Sequence, residues 1–212
     1  MAPRRGILFV VSAPSGTGKT SLAKRLLADT AGISWSVSYT TRPRREGEQD
    51  GREYHFVDDD RFGAMIERGE LLEWAEVFGR WYGTGREATE RVLGEGFDLL
   101  LEIDVQGAAQ VLASGMEAVS VFVVPPSYHA LVDRLHGRDT ESEQEIAARL
   151  RQSRREAEEF RGFDYVVIND DFDRALADLE AIVRAERRRT ERAGREVETI
   201  LAGFPGHGTA TS

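Results

Sequence analysis

Eight residues near the start of the chain, 13–20, read APSGTGKT and combine two glycines with a Lys-Thr pair. An apolar run at 7–11 precedes them, and a segment with helical apolar spacing follows at 21–27. In a strand–turn–helix arrangement, the amides around Gly16 and Gly18 can converge on phosphate oxygens at the positive end of the helix dipole. Lys19 would reach the β- and γ-phosphates, and the Thr20 hydroxyl would bind Mg²⁺. The motif therefore predicts a nucleoside triphosphate site, although Ala13 stands where its first glycine is expected.

Three further segments carry groups that could bind a second ligand. The first is the turn TTRPRR at 40–45, whose arginines suit bidentate recognition of a phosphate dianion. A solvated surface turn explains the same residues equally well. The second is Glu73, which lies among apolar and aromatic residues at 71–74. Burying its carboxylate without a partner is costly, so it suits a ligand that offers N–H donors. The alternative is a glutamate on the outer face of an amphipathic segment.

The third segment is the largely apolar run at 99–103, which contains Glu102 near its end and is followed directly by Asp104. Beside a phosphate-binding strand, such acidic residues match the Walker B arrangement that holds Mg²⁺. The two residues are two positions apart, so they share one side of the strand if it stays regular. Either could lie near the metal. Many apolar strands end in an aspartate without binding a metal.

Composition limits the function classes. The chain has 212 residues, a net charge of −9 and no cysteine, so disulfides and thiolate metal sites are excluded. The acidic balance argues against broad nucleic-acid binding but allows a local pocket for a small nucleotide. There is no signal-peptide pattern and no apolar run near 18 residues, so we expect a soluble, cytoplasmic protein without a membrane segment.

The element pattern predicts an α/β core. Near-continuous apolar runs at 7–11, 99–103, 119–124 and 165–168 suit strands of a parallel sheet that is covered on both faces. Helical patterns occupy 106–113, 128–135, 146–160 and 172–192. Between them, 34–39 and 54–57 alternate and predict short, mostly antiparallel inserted strands, and Asp58–Asp60 favour a helix start rather than a metal cluster. The charged segment 134–161 is either an exposed helix or a mobile lid.

The chain resembles the guanylate kinases. The matching segments lie at 12–20, 36–42, 51–54, 71–78, 82–84, 103–107, 137–138 and 167–173, in family order and spacing. Bacterial members often carry the same SAPSG start, which accounts for Ala13. The resemblance implies a P-loop NTPase core with a parallel sheet flanked by helices, an inserted mixed α/β GMP-binding region and a helical lid. The expected bounds are core 1–33, GMP-binding insertion 34–85, core 86–136, lid 137–161, core 162–202 and a disordered tail 203–212.

The resemblance also implies site residues. ATP-binding residues are expected at Ala13, Pro14, Ser15, Gly16, Thr17, Gly18, Lys19, Thr20 and Ser21, with Asn169 near the adenine. GMP-binding residues are expected at Ser38, Arg42, Arg45, Tyr54, Glu73, Tyr82, Thr84 and Asp104. The catalytic set comprises Lys19, Arg42 and the lid arginines Arg138 and Arg149. Thr20 is expected to bind Mg²⁺ directly, and Glu102 through water.

The activity implied is Mg²⁺-dependent transfer of the ATP γ-phosphate to GMP or dGMP, as part of purine nucleotide metabolism. The attacking phosphate oxygen is already anionic at neutral pH, so no general base is needed. Alternatives are a kinase for another monophosphate or sugar phosphate, a non-catalytic guanylate-kinase-like binding module, and a GTPase. The intact Lys19-Thr20 pair argues against the module. The sole asparagine, Asn169, is followed by Asp170 rather than by the lysine of a GTPase Asn-Lys-x-Asp motif.

Overall fold

Strands and helices alternate along the chain in the computed structural model, which describes residues 4–77, 79–136 and 143–204. The strands are β1 (Leu8–Ser12), β2 (Ile33–Trp35), β3 (Tyr39–Thr40), β4 (His55–Phe56), β5 (Leu71–Val77), β6 (Arg80–Gly85), β7 (Asp98–Glu102), β8 (Ala118–Val124) and β9 (Tyr165–Ile168). The helices are α1 (Lys19–Asp29), α2 (Asp59–Glu67), α3 (Arg86–Gly94), α4 (Val105–Ala113), α5 (Tyr128–His136), α6 (Glu143–Glu158), α7 (Phe172–Arg187) and α8 (Thr190–Ala202), and a short 3₁₀ helix, Glu159–Gly162, follows α6.

The core is a parallel sheet. Across the described ranges its strand order is β2-β7-β1-β8-β9, and every neighbouring pair is parallel. Strand β1 lies at the centre, with Val11 opposite Glu102 of β7. The carboxyl ends of β1 and β7 therefore lie side by side, which is where open α/β sheets bind their ligands. The predicted fold class is confirmed.

Helices cover both faces of this sheet. Phe9 and Val11 of β1 pack into one apolar cluster with side chains of α1 and α7. Leu8 and Val10 point to the other face and pack with α3 and α4. Each such side chain stabilises the fold by about 1.5–3 kcal/mol when fully buried. Double-sided burial explains why the sequence of β1 is an apolar run rather than an alternating pattern.

A second sheet lies between the first crossover and the second half of the core. Among the described residues it has the order β4-β3-β6-β5, with two antiparallel pairs and one parallel pair, β3 with β4. Its apolar side packs on α2 through Phe62, Met65 and Leu71. The side chain of Gln110 on α4 fastens it to the core, because that amide bonds the backbone N–H and C=O of Trp74 at 3.0 and 2.9 Å.

One strand prediction is wrong. The alternating segment 34–39 predicts inserted, mostly antiparallel strand structure, but its first residues belong to β2, which pairs in parallel with β7 and forms an edge of the core sheet. The inserted sheet begins only at Tyr39. The physical reason is that an edge strand buries one face only, as the buried Ile33 and the exposed Ser34 show. Its sequence therefore alternates just as an inserted antiparallel strand does.

Two helix predictions are refined by the structure. Asp58 caps α2, since its Oδ1 accepts the Arg61 N–H at 2.7 Å, which confirms the predicted helix start. The helix expected over 172–192 is interrupted, because Arg189 is extended and α8 starts anew at Thr190.

The described residues contain no helix that is both long and apolar enough to cross a membrane. Residues 137–142 of the expected lid and 205–212 of the expected tail lie outside the described residues.

Candidate active site

The glycine-rich loop connects β1 to α1 in a conformation that only glycine adopts readily. Gly16 and Gly18 both have φ of 88°, in the left-handed region. The loop is fastened from the end of β9, where the Asn169 amide donates to the Thr17 carbonyl at 2.6 Å. No side chain caps the N-terminus of α1, so its first N–H groups remain available to an anion. The structure thus places Asn169 against the loop itself.

The loop borders a cavity of about 350 Å³. Residues 13–21 line it, together with Asp104 and two side chains of α6, Gln152 and Glu156. All nine residues expected to bind ATP from the loop therefore surround one space. A polar cavity at a helix N-terminus suits a phosphate chain.

Oxygen atoms and one ammonium group converge beside this cavity, at the end of β7. The Thr20 hydroxyl donates to Glu102 Oε1 at 2.5 Å, and Lys19 Nζ donates to the Ile103 carbonyl at 2.5 Å. Nζ also lies 3.9 Å from Glu102 Oε1. Burial lowers the pKa of Lys19, and the nearby carboxylates, Glu102 first among them, oppose that shift. Hydroxyl and carboxylate oxygens are the donors that Mg²⁺ prefers.

Asp104 lies in a different element from Glu102. Strand β7 ends at Glu102, and Asp104 is the N-cap of α4, where its Oδ1 accepts the Gly107 N–H at 2.8 Å. The two carboxylates would share one side only if the strand stayed regular as far as Asp104, and it does not, because the chain turns into the helix between them. Asp104 nevertheless lines the phosphate cavity and reaches towards the inserted sheet.

A buried carboxylate on the inserted sheet faces Asp104. Glu73 of β5 is only 5% exposed and is paired with Thr84 of β6, whose hydroxyl donates to Glu73 Oε1 at 2.7 Å. A Cβ added to Gly107 would lie 3.0 Å from Glu73 Oε2 and 3.4 Å from Asp104 Oδ1, so both carboxylates approach the start of α4. Burial raises the pKa of Glu73, as does the charge of Asp104, while the Thr84 hydrogen bonds lower it less. Three of the expected guanine-reading residues are therefore brought together.

Aromatic rings and arginines form a neighbouring cluster. The Arg42 guanidinium lies over the rings of Tyr54 and Phe56, at 5.4 and 5.7 Å from their centroids. The rings of Tyr54 and Tyr82 meet edge to face at 5.9 Å. Burial raises the pKa of Tyr54 above its ordinary value of 10.0. Arg45 is exposed at the rim, three residues after Arg42.

The structure adds a carboxylate to this cluster that sequence reasoning missed. Glu48 accepts hydrogen bonds from Arg42 Nη2 and Nη1 at 2.8 and 3.1 Å, and from the Arg45 backbone N–H at 2.7 Å. The Arg42 guanidinium and that N–H lower the pKa of Glu48. In the sequence, Glu48 follows the arginines of the same turn within a few residues. Spacing alone does not show which of those arginines it pairs with.

The remaining predicted residues are placed less closely. Ser38 immediately precedes β3, and its carbonyl accepts the His55 N–H at 2.9 Å. Arg149 is half-buried on α6. Arg138 lies outside the described residues.

Helices α5 and α6 also contact the loop through side chains that the sequence did not single out. Arg134 of α5 donates to the carbonyls of Thr17 and Asn169, at 3.2 and 2.8 Å. Glu156 of α6 accepts the Ser15 N–H at 3.4 Å. Both residues lie in a segment dense in charge of both signs, so composition gave no means of separating them from solvated neighbours.

Comparison with known proteins agrees with this geometry. The guanylate kinase family model matches residues 5–186. The guanylate kinase of Neisseria meningitidis serogroup B is 50% identical over 191 residues, which is 90% of this chain and 93% of that protein. The guanylate kinase of Symbiobacterium thermophilum is 48% identical over 93% of this chain and 94% of its own length. The crystal structure of guanylate kinase from Anaplasma phagocytophilum superimposes with a TM-score of 0.68 at 35% identity, covering 90% of this chain and 91% of that one. On this evidence the chain belongs to the guanylate kinase family.

Proposed function

We propose that the chain transfers the γ-phosphoryl group of ATP to GMP or dGMP, giving ADP and GDP or dGDP. The observation that carries this proposal is the buried Glu73–Thr84 pair, which adjoins the phosphate-binding loop through Asp104. A buried carboxylate needs hydrogen-bond donors, and guanine supplies two on one edge, N1–H and the 2-amino group. The substrate-specific group therefore lies beside the loop that suits a triphosphate.

On the donor side, residues 13–21 would bind the ATP phosphates through backbone N–H groups and Lys19. The two left-handed glycines let these amides converge, and the first turn of α1 adds its dipole. Asn169 lies on the same side, where its amide fastens Thr17. We assign it a place next to the adenine, as the family resemblance implies.

Residues that fit Mg²⁺ lie next to the loop. Thr20 would bind it directly and Glu102 through water, since their oxygens already meet at 2.5 Å. The described residues contain no cluster of three or more His, Asp or Glu side chains suited to a metal. Mg²⁺ is commonly held by one or two protein oxygens together with substrate phosphates, so such a cluster is not required. When bound, the ion would neutralise negative charge on the phosphates.

On the acceptor side, Glu73 would accept both guanine donors. The Thr84 hydroxyl carries a single proton, which it now gives to Glu73. It can donate to guanine O6 only by rotating away, once guanine has satisfied the carboxylate. Adenine presents a lone pair at N1, which would face the carboxylate acceptor to acceptor. A site built on such hydrogen bonds can discriminate by roughly 10⁴-fold or more.

The GMP phosphate would bind Arg42 and Arg45 together with the hydroxyls of Tyr54 and Tyr82. Because the attacking oxygen is an anion already, the protein has to align two polyanions and offset their repulsion. Lys19 would offset this repulsion at the ATP phosphates and Arg42 at the GMP phosphate. Arg138 and Arg149 would contribute positive charge from the lid. Ser38 completes the GMP set at the edge of the pocket.

Domain movement would protect the reaction from water. We propose the inserted region and the lid 137–161 as the moving parts, with the expected boundary at residue 34 moved to Tyr39, because β2 belongs to the core sheet. The segments before Tyr39, together with 86–136 and 162–202, would form the fixed core. The Ser15–Glu156 contact brings α6 against the loop, so this helix already borders the cavity where ATP would bind. Excluding water keeps the γ-phosphoryl group from hydrolysis. We propose that the reaction serves purine nucleotide metabolism in the cytoplasm. The net charge of −9 argues against a nucleic-acid partner.

A coupled assay of ADP release across GMP, dGMP, AMP, CMP and UMP tests this function. We expect Mg²⁺-dependent turnover with GMP and dGMP, and turnover at least 10³-fold lower in kcat/KM with AMP. The Lys19→Met variant, prepared identically, controls for a contaminating host kinase. No turnover with GMP, or equal turnover with AMP, would refute the proposal.

A further inference from the structure

Glu48 is the residue that fixes the orientation of Arg42 in this structure. It lies in the turn between β3 and β4, and its two oxygens engage both terminal nitrogens of the guanidinium. The pair is shielded from solvent, with side-chain exposures of 12% for Arg42 and 17% for Glu48. Bidentate pairs of this kind are stronger and more specific in direction than ordinary exposed ion pairs.

The bonds that Arg42 makes leave one defined edge of its guanidinium for a ligand. Arginine has five N–H donors in a fixed plane. Nη1 uses its two on Glu48 and on the Pro43 carbonyl at 2.9 Å, and Nη2 uses one on Glu48. The Nε–H and the second Nη2–H are bonded to neither Glu48 nor Pro43, and they point in parallel along the remaining edge. The Tyr82 side chain, itself expected to bind the GMP phosphate, also hydrogen-bonds this guanidinium. Two parallel donors match two oxygens of a phosphate group.

The anchoring of Glu48 argues that it stays in place when a phosphate binds. Its Oε2 also accepts the Arg45 backbone N–H at 2.7 Å, a bond within its own turn that no ligand needs to break. The face of the guanidinium plane is covered by the Tyr54 and Phe56 rings. Displacing Glu48 would cost three hydrogen bonds, whereas a phosphate on the opposite edge costs none of them.

We infer that Glu48 is a positioning residue for the acceptor phosphate: it holds Arg42 end-on so that the Nε–Nη2 edge faces the phosphate of the bound mononucleotide. This inference rests on the proposed function. In the opposite role, the Glu48 carboxylate would occupy the position of the acceptor phosphate and would have to leave before the phosphate binds. The two roles predict opposite changes in KM for GMP when the charge of Glu48 is removed.

Glu48→Gln is the direct test. A neutral amide keeps the size of the side chain but loses the charge-assisted bonds, and we expect KM for GMP to rise about tenfold. KM for ATP should stay within about twofold. Guanosine, which lacks the phosphate, should keep its inhibition constant, because Glu48 acts only through the phosphate site. Glu53→Gln is the matched control, since Glu53 accepts a backbone N–H of the same loop, that of Gln49 at 2.7 Å, and pairs with Arg52 instead of Arg42.

A double-mutant cycle with Arg42→Lys tests whether Glu48 acts through Arg42. Lysine cannot form the two parallel bonds, so adding Glu48→Gln to Arg42→Lys should change KM for GMP by less than about twofold. A fall of KM for GMP in Glu48→Gln, an equal loss of guanosine and GMP binding, or full additivity in the cycle would each overturn the inference. Absence of GMP turnover in the unsubstituted enzyme would instead refute the proposed function.

Discussion

Replacing Glu73 by Gln should weaken guanine selectivity while leaving the fold intact. In the unsubstituted protein both carboxylate oxygens can accept, one of them from the Thr84 hydroxyl at 2.7 Å. Glutamine retains one acceptor and turns the other into an NH₂ donor, which would face a guanine donor. Hydrogen bonds to a charged group contribute about 1.5–3 kcal/mol each, so losing one and weakening the other costs about 3 kcal/mol. That energy corresponds to roughly a 100-fold loss in kcat/KM for GMP.

The same substitution should not destabilise the protein at neutral pH. Burial raises the pKa of Glu73 above its ordinary value of 4.5, so the folded state holds this proton more tightly than the unfolded chain. Between 4.5 and the raised pKa, stability is therefore lost as pH rises, and above the raised pKa the charged carboxylate costs stability. Glutamine removes that cost and can still accept from Thr84. A melting temperature at pH 7 equal to or above that of the unsubstituted protein is expected.

The assay compares kcat/KM for GMP and for AMP in parallel with thermal melting. Glu76→Gln is the matched control, because Glu76 lies on the same strand but is exposed. We expect the GMP-to-AMP ratio to fall by at least about tenfold in Glu73→Gln and to stay constant in the control. An unchanged ratio with normal melting would show that this carboxylate does not read the base, and the reasoning would fail.

Four further predictions concern the donor site, pH and stability. Lys19→Met should lower kcat at least about 10²-fold in the ADP-release assay, with guanosine affinity retained; a loss below tenfold would contradict the assigned role. Guanosine inhibition should weaken as pH falls through the raised pKa of Glu73, and a Glu73→Gln variant that kept this pH dependence would refute the assignment. In calorimetry, removing Mg²⁺ should weaken ATP binding but not GMP binding, and Thr20→Val should raise the Mg²⁺ concentration required; equal effects on both nucleotides would contradict this. Asp98 is fully buried between Arg4 and Arg187. Asp98→Asn should therefore lower the free energy of unfolding by about 3 kcal/mol and the melting temperature by roughly 6–12 °C, without changing kcat. A shift in melting temperature under about 2 °C would argue against this.

The parts that sequence predicted best are those whose contacts are local. The phosphate-binding loop is formed by a strand, a turn and a helix within about twenty residues, and its two glycines are required by a left-handed backbone. The Asp58 cap is likewise decided within one helical turn. The parallel core follows from double-sided burial of β1, which leaves a continuous apolar run in the sequence.

The parts that sequence missed depend on pairings between distant segments. Glu73 and Thr84 were expected in the GMP site from the family resemblance alone. Their direct hydrogen bond depends on the pairing of β5 with β6, whose register shifts between Leu71 and Glu73. The loop contacts of Arg134 depend on how α5 docks against the core. Strand β2 was misassigned because an alternating sequence indicates that one face of a strand is buried but does not indicate which sheet the strand joins. The pattern of residues along the chain indicates which side chains are exposed. Which side chains contact each other depends on the register of paired strands and on how helices pack against the core.

The two phosphate sites differ in how their carboxylates are engaged, and the difference explains why a metal is expected on one side only. At the donor site, Glu102 bonds the Thr20 hydroxyl and lies 3.9 Å from Lys19, so its charge is only partly compensated. A triphosphate placed there adds negative charge next to a carboxylate that a cation can still bind. At the acceptor site, Glu48 is held by Arg42 and by a backbone N–H, so its oxygens are already satisfied. In a chain with a net charge of −9, we therefore expect the donor site to need Mg²⁺ for binding of its substrate. We expect no such need at the acceptor site, where Arg42 is already oriented by Glu48.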